Sequence, residues 1–514
     1  MKLNRTENGI RNIFWGVISK FVMLFFPFII RTILIKSLSA DYLGLNSLFT
    51  SILTVLNLAE LGFSSAVVFN MYKPIAENDA DTVCALMAYY RKVYHVIGVC
   101  VTVVGVALIP FLPHLISGSY PQSINITVLY LLFLANTSVS YFLFAYKNCI
   151  LSAYQREDVI SKITIVLKII MYAMQIAALL LFHNYYWYVI AMIISTVATN
   201  IVTAYYSDKI YPQYQCRGEI SEEKRKDIRK NIQGLMVGKV CMVSRNSFDS
   251  IFLSMFLGLQ TVAIYGNYYY IMSAISGILT ILMTSLSAGI GNSIATESMG
   301  KNYKDMNKFV FIYAWISGWC AVCLFCMFQP FMEIWMGSDM LFPMIDVVLI
   351  CLYFYSLTMG DVRSQYSSAA GLFWENRKYV LVEALSNIVL NYILGKLFGV
   401  HGIVAATLIS ILLINFIWGS AILFKYYFKD YKVGEFYKKH FFYFGVAIIA
   451  AILTYSLTTL IHGNMYVRFI TSAIMCCIVP NGIFYIVYRK REEFNEAKVF
   501  CSRAYNLIRK KVKQ

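Results

Sequence analysis

One apolar run near the start of the chain limits its fold more than any other feature. Residues 14–35 are almost entirely apolar but include Lys20 and Arg31. At 1.5 Å per residue, about 20 helical residues cross the ~30 Å hydrocarbon core of a bilayer, so the run predicts a membrane-spanning helix. Each cation near the centre of such a helix costs roughly 2.5–3.5 kcal/mol, so neither side chain is expected to face lipid.

Lys20 and Arg31 belong to one face of this helix. They are eleven positions apart, which is close to three helical turns. Pro27 lies between them, and its missing N–H is expected to bend or loosen the helix. A positive face beside a hinge predicts a water-filled passage for a negatively charged ligand.

The rest of the sequence repeats such apolar runs. Hydrophobic residues make up 59% and charged residues 14% of the 514 positions, whereas soluble proteins are about a quarter charged. Long apolar runs predict α-helices, because membrane β-strands alternate over about ten residues. The sequence thus predicts an all-α polytopic membrane protein of about fourteen transmembrane helices. The predicted spans are 12–35, 43–69, 90–112, 124–146, 160–182, 185–207, 234–257, 262–290, 309–336, 343–370, 379–397, 402–424, 441–461 and 466–488.

The basic residues predict the orientation of these spans. Most of the 44 Lys and Arg residues lie in alternate connecting segments, and the opposite segments hold only Lys36 and Lys396. The positive-inside rule then places both termini in the cytoplasm. The net charge of +17 is explained mainly by this topology and by attraction to anionic lipid.

Two halves of the chain share a pattern. Asn12 precedes Lys20 by eight positions, and Asn231 precedes Lys239 by the same eight. Three further matches follow in the same order, which predicts a parallel repeat of six spans with the substrate between the halves. The expected domains are an N-terminal bundle at 1–207, an amphipathic cytoplasmic linker at 208–233, a C-terminal bundle at 234–424, two additional helices at 425–488 and a basic cytoplasmic tail at 489–514.

Short motifs across residues 10–430 relate the chain to a known family. They are RTIL at 31–34, DYLGLN at 41–46, ELGF at 60–63, YKPIA at 72–76, ILSA at 150–153 and YGNY at 265–268. Through them the chain resembles the bacterial polysaccharide-export flippases (Wzx type) of the MOP superfamily, which includes the lipid II flippases and the MATE exporters.

This resemblance implies a V-shaped pair of six-helix bundles around a cationic cavity, in the bacterial cytoplasmic membrane. It also implies a substrate in which pyrophosphate joins an oligosaccharide to a polyprenyl lipid. The protein partners to be expected are a glycan polymerase and chain-length machinery. Fourteen spans resemble the lipid-linked branch, since MATE exporters usually have twelve.

Five cations within the spans are predicted to bind such a substrate. Arg forms bidentate hydrogen bonds with phosphate, and Lys acts as a point charge. Two alternatives stay open: Arg31 can extend to the outer interface, and Arg245 can pair with Asp249 four residues later. The predicted substrate-binding residues are Arg31, Lys20, Lys239, Arg245 and Arg363.

Three intramembrane carboxylates, Glu60, Asp249 and Asp361, are predicted to couple transport to H⁺ or Na⁺. The alternative for Glu60 is a cap on a close helix contact near the inner surface. Four other charged side chains are expected at the interfaces: Glu333, Asp346, Glu383 and Arg468.

No cofactor or metal is expected. The twelve cysteines show no metal-ligand spacing around a His and are predicted to be free thiols in helix contacts. The sequence has no phosphate-binding GxxxxGK[ST] loop, so ATP is not the expected direct driver. Nucleic acid is not an expected partner, because acidic residues interrupt the basic linker.

These features predict a flippase that moves a lipid-linked oligosaccharide by alternating access, and not an enzyme. One alternative is a MATE-like exporter of small organic molecules, whose cavity is expected to be acidic. The other is a membrane-embedded glycan polymerase or acyltransferase, which would need a catalytic outer loop or a buried histidine.

Overall fold

The computed structural model describes residues 5–60, 62–461 and 463–512. Within these ranges, side chains are described except at 5–10, 13, 59, 224, 227, 229–242, 246, 504–505, 507–508 and 510–512. The described residues are helical or connect helices, and they contain no β-strand. The predicted all-α fold is confirmed.

The chain divides into two compact units, Met1–Ala263 and Ile264–Gln514. The helices that begin in the first unit are α1 (Arg5–Ser37), α2 (Ala40–Leu56), α3 (Phe63–Ala76), α4 (Ala80–Ala107), α5 (Ile126–Phe142), α6 (Asn148–Ala153), α7 (Glu157–Leu180), α8 (Tyr185–Ile210), α9 (Glu222–Leu257) and α10 (Leu259–Thr296). Within this unit α1 packs on α7, α2 on α9, and α4 on α5.

Most of α10 belongs to the second unit. The helices that follow are α11 (Met299–Met336), α12 (Met344–Met359), α13 (Asp361–Ala369), α14 (Phe373–Ile409), α15 (Gly419–Tyr426), α16 (Val433–Thr459), α17 (Met465–Tyr488) and α18 (Glu492–Val512). A π-helical segment, Ser410–Trp418, joins α14 to α15. In this unit α11 is central and packs against α12, α16 and α17.

Polar side chains mark where several of these helices begin. Asp79 accepts a hydrogen bond from the backbone N–H of Thr82 at 2.9 Å, which caps α4. Such caps satisfy backbone donors that have no partner inside the helix. The same role is played in α5, α8, α11 and α17 by Asn125, Asn184, Ser298 and Asn464.

Among the described residues, ten helical stretches are long and apolar enough to cross a membrane, or eleven if the bent pair Ile126–Phe142 and Ala145–Ala153 forms one span. The predicted span 234–257 lies partly outside the residues whose side chains are described. The other differences from the fourteen predicted spans have physical causes in the described residues. The stretch Phe373–Tyr426 has 54 residues. It consists of two helical segments separated by a kink at Gly399, whose φ is 60°. Ala40–Leu56 is apolar but short, since its span is broken.

Three predicted spans contain breaks that their apolar pattern does not reveal. A 3₁₀ turn, Asn57–Glu60, separates α2 from α3, and Gly62 follows with a φ of 93°, which favours glycine. The pair around Phe144 bends by 49°. Gly360 separates α12 from α13. In contrast, α1 continues through Pro27 from Arg5 to Ser37.

A buried carboxylate joins the start of α1 to the start of α7. Asp158 is fully buried, and its oxygens lie 3.0 Å from Arg11 Nε and 2.9 Å from Arg156 Nε. The Asp158 backbone N–H donates to Asn12 Oδ1 at 2.8 Å, and Asn12 Nδ2 donates to the Gln155 carbonyl at 2.8 Å. Asn12 therefore has a structural partner in the turn before α7.

Two polar segments are largely helical. Residues 222–233 of the predicted linker are helical and continue directly into the rest of α9. In the predicted basic tail, the acidic residues at the start of α18 contact basic residues of the helices α11 and α16. Glu496 lies 2.7 Å from Lys304, and Glu493 lies 2.8 Å from Lys439.

Candidate functional site

The break between α2 and α3 places Glu60 between two tyrosines of neighbouring helices. Tyr141 Oη, on α5, donates to Glu60 Oε2 at 2.8 Å. Tyr94 Oη, on α4, donates to Glu60 Oε1. The Tyr141 hydroxyl also lies 2.9 Å from Asn57 Oδ1, so its single proton has two acceptors. We call these four residues the Glu60 latch.

The tyrosine hydroxyls hold the Glu60 carboxylate without the help of a cation. Glu60 is half-buried, and among the described residues no ion pair joins it to Lys, Arg or His. Tyr94 and Tyr141 are 5% and 2% exposed, which keeps water away from most of the cluster. When such a carboxylate takes a proton, it loses the negative charge that strengthens the hydrogen bonds from these hydroxyls, so the bonds weaken.

The second unit contains a related arrangement. Asp361 begins α13 immediately after Gly360, and its Oδ2 accepts from Tyr313 Oη on α11 at 2.5 Å. Tyr313 lies fifteen positions after Ser298, the cap of α11. Tyr94 lies fifteen positions after the cap of α4. Each unit thus has a tyrosine at the same helical position that donates to a carboxylate at a helix break.

The two arrangements differ in the helix that supplies the carboxylate. Glu60 follows α2, the second span of its half, whereas Asp361 follows α12, the fourth span of the other half. The fourth span of the first unit supplies Tyr141 instead, one residue before α5 ends. Tyr94 and Tyr313 therefore occupy equivalent positions in the two halves. The carboxylates that they contact do not, because Glu60 and Asp361 follow different helices of the repeat.

Arg363 is fully buried in a separate cluster of the second unit. Its Nη2 donates to Asn415 Oδ1 at 2.6 Å, and its Nη1 lies 3.2 Å from Tyr379 Oη. Asn415 Nδ2 donates to Glu383 Oε2 at 2.8 Å. The side chains of Arg363 and Glu383 are both 0% exposed. The guanidinium is therefore surrounded by protein groups and has no access to solvent.

The π-helical segment and a glycine make room for this cluster. Asn415 lies in the π-helical segment, between the guanidinium and the carboxylate. A Cβ on Gly419 would lie 2.3 Å from Arg363 Nη1, which is closer than any van der Waals contact. A side chain at this position would therefore displace the guanidinium.

Two carboxylates predicted to be interfacial are buried instead, which corrects the sequence analysis. Glu383 belongs to the Arg363 cluster, where Asn415 reaches it from another helical segment. Asp346 is 1% exposed and contacts His401 Nδ1. Both predictions were wrong because the sequence shows only the distance to the end of a span, and packing decides the burial.

The predicted cations are spread over both units. Arg31 is half-buried, and its guanidinium lies within electrostatic range of the Tyr188 hydroxyl on α8. The Lys20 side chain is exposed. Arg245 is half-buried on α9. The side chain of Lys239 lies outside the described residues.

The acidic residue Asp249, also on α9, is 1% exposed.

The substrate-binding role of the five cations and the coupling role of Glu60, Asp249 and Asp361 stay predictions. Tyr94, Tyr141 and Tyr313 were not among the predicted site residues. For Tyr94 and Tyr313 a signal was available, because each lies fifteen positions after the cap of its helix.

Solved structures share this fold. The structure of the lipid II flippase MurJ in an inward closed conformation matches with a TM-score of 0.65 and 17% identity, over 93% of this chain and 99% of that chain. An inward-facing MATE-family multidrug resistance transporter of the MOP superfamily matches with a TM-score of 0.60 and 14% identity, over 77% and 94%. A Vibrio cholerae MATE transporter matches with a TM-score of 0.55 and 12% identity, over 81% and 94%.

The sequence itself matches a family model. No curated protein matches the chain in sequence. The family model described as "Polysaccharide biosynthesis protein" matches residues 10–287, which is more than half of the chain. The chain therefore belongs to the polysaccharide biosynthesis protein family, and it has the fold of the flippases and transporters of the MOP superfamily.

Proposed function

We propose that this protein flips a polyprenyl-pyrophosphate-linked oligosaccharide from the inner to the outer leaflet of the bacterial cytoplasmic membrane. It would do so by alternating access, with both termini in the cytoplasm, for the export of a surface polysaccharide. A glycan polymerase and chain-length machinery are the proposed downstream partners. Family membership supports the polysaccharide pathway, and the likeness to a lipid II flippase supports a lipid-linked substrate.

The observation that carries this proposal is the position of Arg31. Arg31 is half-buried and lies within electrostatic range of Tyr188, on a helix whose apolar length suits a membrane span. A charge in such a helix is expensive unless it serves a ligand or a partner. A pyrophosphate group that leaves water needs cationic donors in place of its hydration, and Arg provides two parallel N–H donors.

Arg31 is proposed to act with the other predicted cations, Lys20, Lys239, Arg245 and Arg363. Arg363 would need a rearrangement of its buried cluster before it could reach a ligand, since its guanidinium already donates to Asn415. Lys20 is exposed and belongs to the same helix as Arg31. The first contact with the pyrophosphate is therefore assigned to α1.

Ion coupling is proposed to involve Glu60, Asp361 and Asp249. Glu60 is the strongest of the three, because it lies at a helix break and its partners are neutral hydroxyls. A proton on Glu60 would remove the charge that these hydroxyls solvate and would loosen the contact between α3, α4 and α5. This gives a physical route from an H⁺ gradient to a movement of helices. A Na⁺ ion bound to the same oxygens is the alternative.

The test is flipping in vesicles that contain the purified protein and a fluorescent polyprenyl-pyrophosphate disaccharide. Wild type should make the probe accessible to a membrane-impermeant glycosidase on the opposite side. Arg31→Ala should lower the initial rate at least about tenfold, because it removes charge-assisted hydrogen bonds of 1.5–3 kcal/mol. Arg31→Lys should retain part of the rate.

Lys36→Ala is the matched control, since Lys36 is an exposed cation on the same helix. It should flip the probe as wild type does. An Arg31→Ala protein that is folded and equally fast would remove the assigned role of Arg31. Wild-type vesicles that move an organic cation but not the lipid-linked sugar would replace the proposed substrate with that of a MATE-like exporter.

A further inference from the structure

A small polar pocket lies in the second unit, at the end of α11 that is far from Lys304. Its volume is about 130 Å³, and α11, α16 and α17 form most of its wall. Glu333 of α11 and Arg468 of α17 both line it. Thr459 and Ser472 add hydroxyl groups to the wall. The pocket therefore presents one negative and one positive group to whatever occupies it.

These two charges do not neutralise each other directly. The structure has no salt bridge within 4.0 Å for Glu333 or Arg468 among the residues that it describes. Both side chains are exposed. The sequence-based explanation of Arg468 as a side chain that extends to the interface does not account for a carboxylate that shares its pocket.

Each charge also lies at the less favourable end of its own helix. Arg468 is four positions after Asn464, the cap of α17, and Glu333 is four positions before Gly337, which ends α11. A helix dipole disfavours a cation near its N-terminus and an anion near its C-terminus. Both positions thus call for an external group of opposite charge.

An apolar groove adjoins the polar pocket. It has a volume of about 320 Å³ and lies between α11, α12 and α16. Phe325 lines both the groove and the pocket. Along α16 the lining changes from Phe444, Ile448 and Ile452 in the groove to Thr459 in the pocket. Together they form a continuous site that is polar at one end and apolar along the helices.

We propose that this site holds a resident phospholipid whose headgroup carries a phosphate and a primary ammonium group, as in phosphatidylethanolamine. Arg468 would bind the phosphate through two N–H donors, and Glu333 would accept from the ammonium group. One acyl chain would occupy the apolar groove. An anionic headgroup without an amine would leave Glu333 facing a second negative charge, so charge complementarity favours the zwitterionic lipid. The site is separate from the residues assigned to the transported substrate.

The experiment is native mass spectrometry of the full chain, released from vesicles with equal amounts of phosphatidylethanolamine and phosphatidylglycerol. Wild type should retain phosphatidylethanolamine at least about tenfold more than phosphatidylglycerol. Arg468→Gln should lower the retention of both lipids. Glu333→Gln should abolish the preference for the amine. Lys396→Gln, which alters an exposed cation outside the site, should behave as wild type.

A second variant covers the case in which a charge variant fails to fold. Ala451→Trp fills the apolar groove and leaves both charges in place, and it should also lose the bound phospholipid. Equal retention by Arg468→Gln and wild type would overturn the proposal. So would equal binding of the two lipids by wild type, or no bound phospholipid at all. Displacement of the phospholipid by polyprenyl pyrophosphate would assign the site to the transported substrate and overturn the proposal.

Discussion

The Glu60 latch makes a prediction about local opening that does not depend on the substrate. Tyr94→Phe removes the hydroxyl that donates to Glu60 Oε1 and keeps the aromatic ring. The ring packs 4.5 Å from that of Tyr90 and 5.5 Å from that of Tyr141, between centroids, and these contacts should survive. The substitution therefore removes the hydrogen bonds of this hydroxyl, to Glu60 and to Tyr90, and leaves the ring packing in place.

The size of the effect follows from the hydrogen bond to Glu60. A hydrogen bond to a charged group contributes about 1.5–3 kcal/mol. Glu60 is half-buried and keeps its bond from Tyr141 at 2.8 Å, so the lower end of that range applies. About 1.5 kcal/mol corresponds to a roughly tenfold shift in the equilibrium for local opening of the chain at the break between α2 and α3.

Hydrogen–deuterium exchange in lipid nanodiscs measures this shift at single helix ends. The Ala66 amide donates to the Gly62 carbonyl at 3.0 Å, in the first turn after the break. Tyr94→Phe should speed its exchange about tenfold. It should leave the Ser364 amide unchanged, because Ser364 belongs to the break in the other unit. Tyr313→Phe should produce the reverse pattern.

Tyr89→Phe is the control, because Tyr89 contacts the ring of Phe63 but makes no hydrogen bond to Glu60. It should exchange as wild type does. Unchanged exchange at Ala66 in Tyr94→Phe would refute the latch. Faster exchange throughout both units would also refute it, since that result would indicate global destabilisation rather than a local break.

Two further outcomes are expected. Gly419→Ala should lower the free energy of unfolding by about 1–3 kcal/mol, because the new Cβ would lie 2.3 Å from Arg363 Nη1. The measurement is thermal unfolding, with Gly445→Ala as the control because nothing lies within 4 Å of a Cβ at that position. Equal unfolding midpoints for the two variants would contradict the prediction. Burial raises the pKa of Glu493, but the hydrogen bonds from Lys439 and from its own backbone N–H, together with the nearby charges of Lys439 and Arg491, outweigh this and hold the pKa below its usual 4.5. Its stabilisation of the α18 docking is complete above about pH 4.5 and is lost as the pH falls through the lower folded value. Protease cleavage of α18 should therefore rise on acidification, and Glu493→Gln should remove this residue's part of the pH dependence; an identical pH profile in the variant would contradict the assignment.

Local sequence patterns were sufficient to predict the fold class. Apolar runs of about twenty residues are a local property that requires a membrane helix wherever they occur. The repeat was detectable for the same reason, since Asn12 and Lys20 recur at the same spacing as Asn231 and Lys239. Single charges within apolar runs could also be recognised, which is how Arg31 and Glu60 became candidates.

Partners across helices could not be predicted in the same way. Glu60 meets Tyr94 and Tyr141, which are 34 and 81 positions away in the chain. The apolar pattern of residues 43–69 gives no sign that the helix breaks before Gly62 and turns the carboxylate towards them. Sequence spacing alone therefore presented Glu60 as an isolated charge.

The sequence by itself determined that this chain is a bundle of membrane helices with charges inside them, because hydrophobicity acts on each segment separately. The tertiary structure alone decided which charges have partners. Glu383 lies near the end of its span, yet it is fully buried and accepts a hydrogen bond from Asn415, which a π-helical segment carries to that place. Burial and hydrogen bonding depend on the packing of several helices at once, and no single segment contains that information.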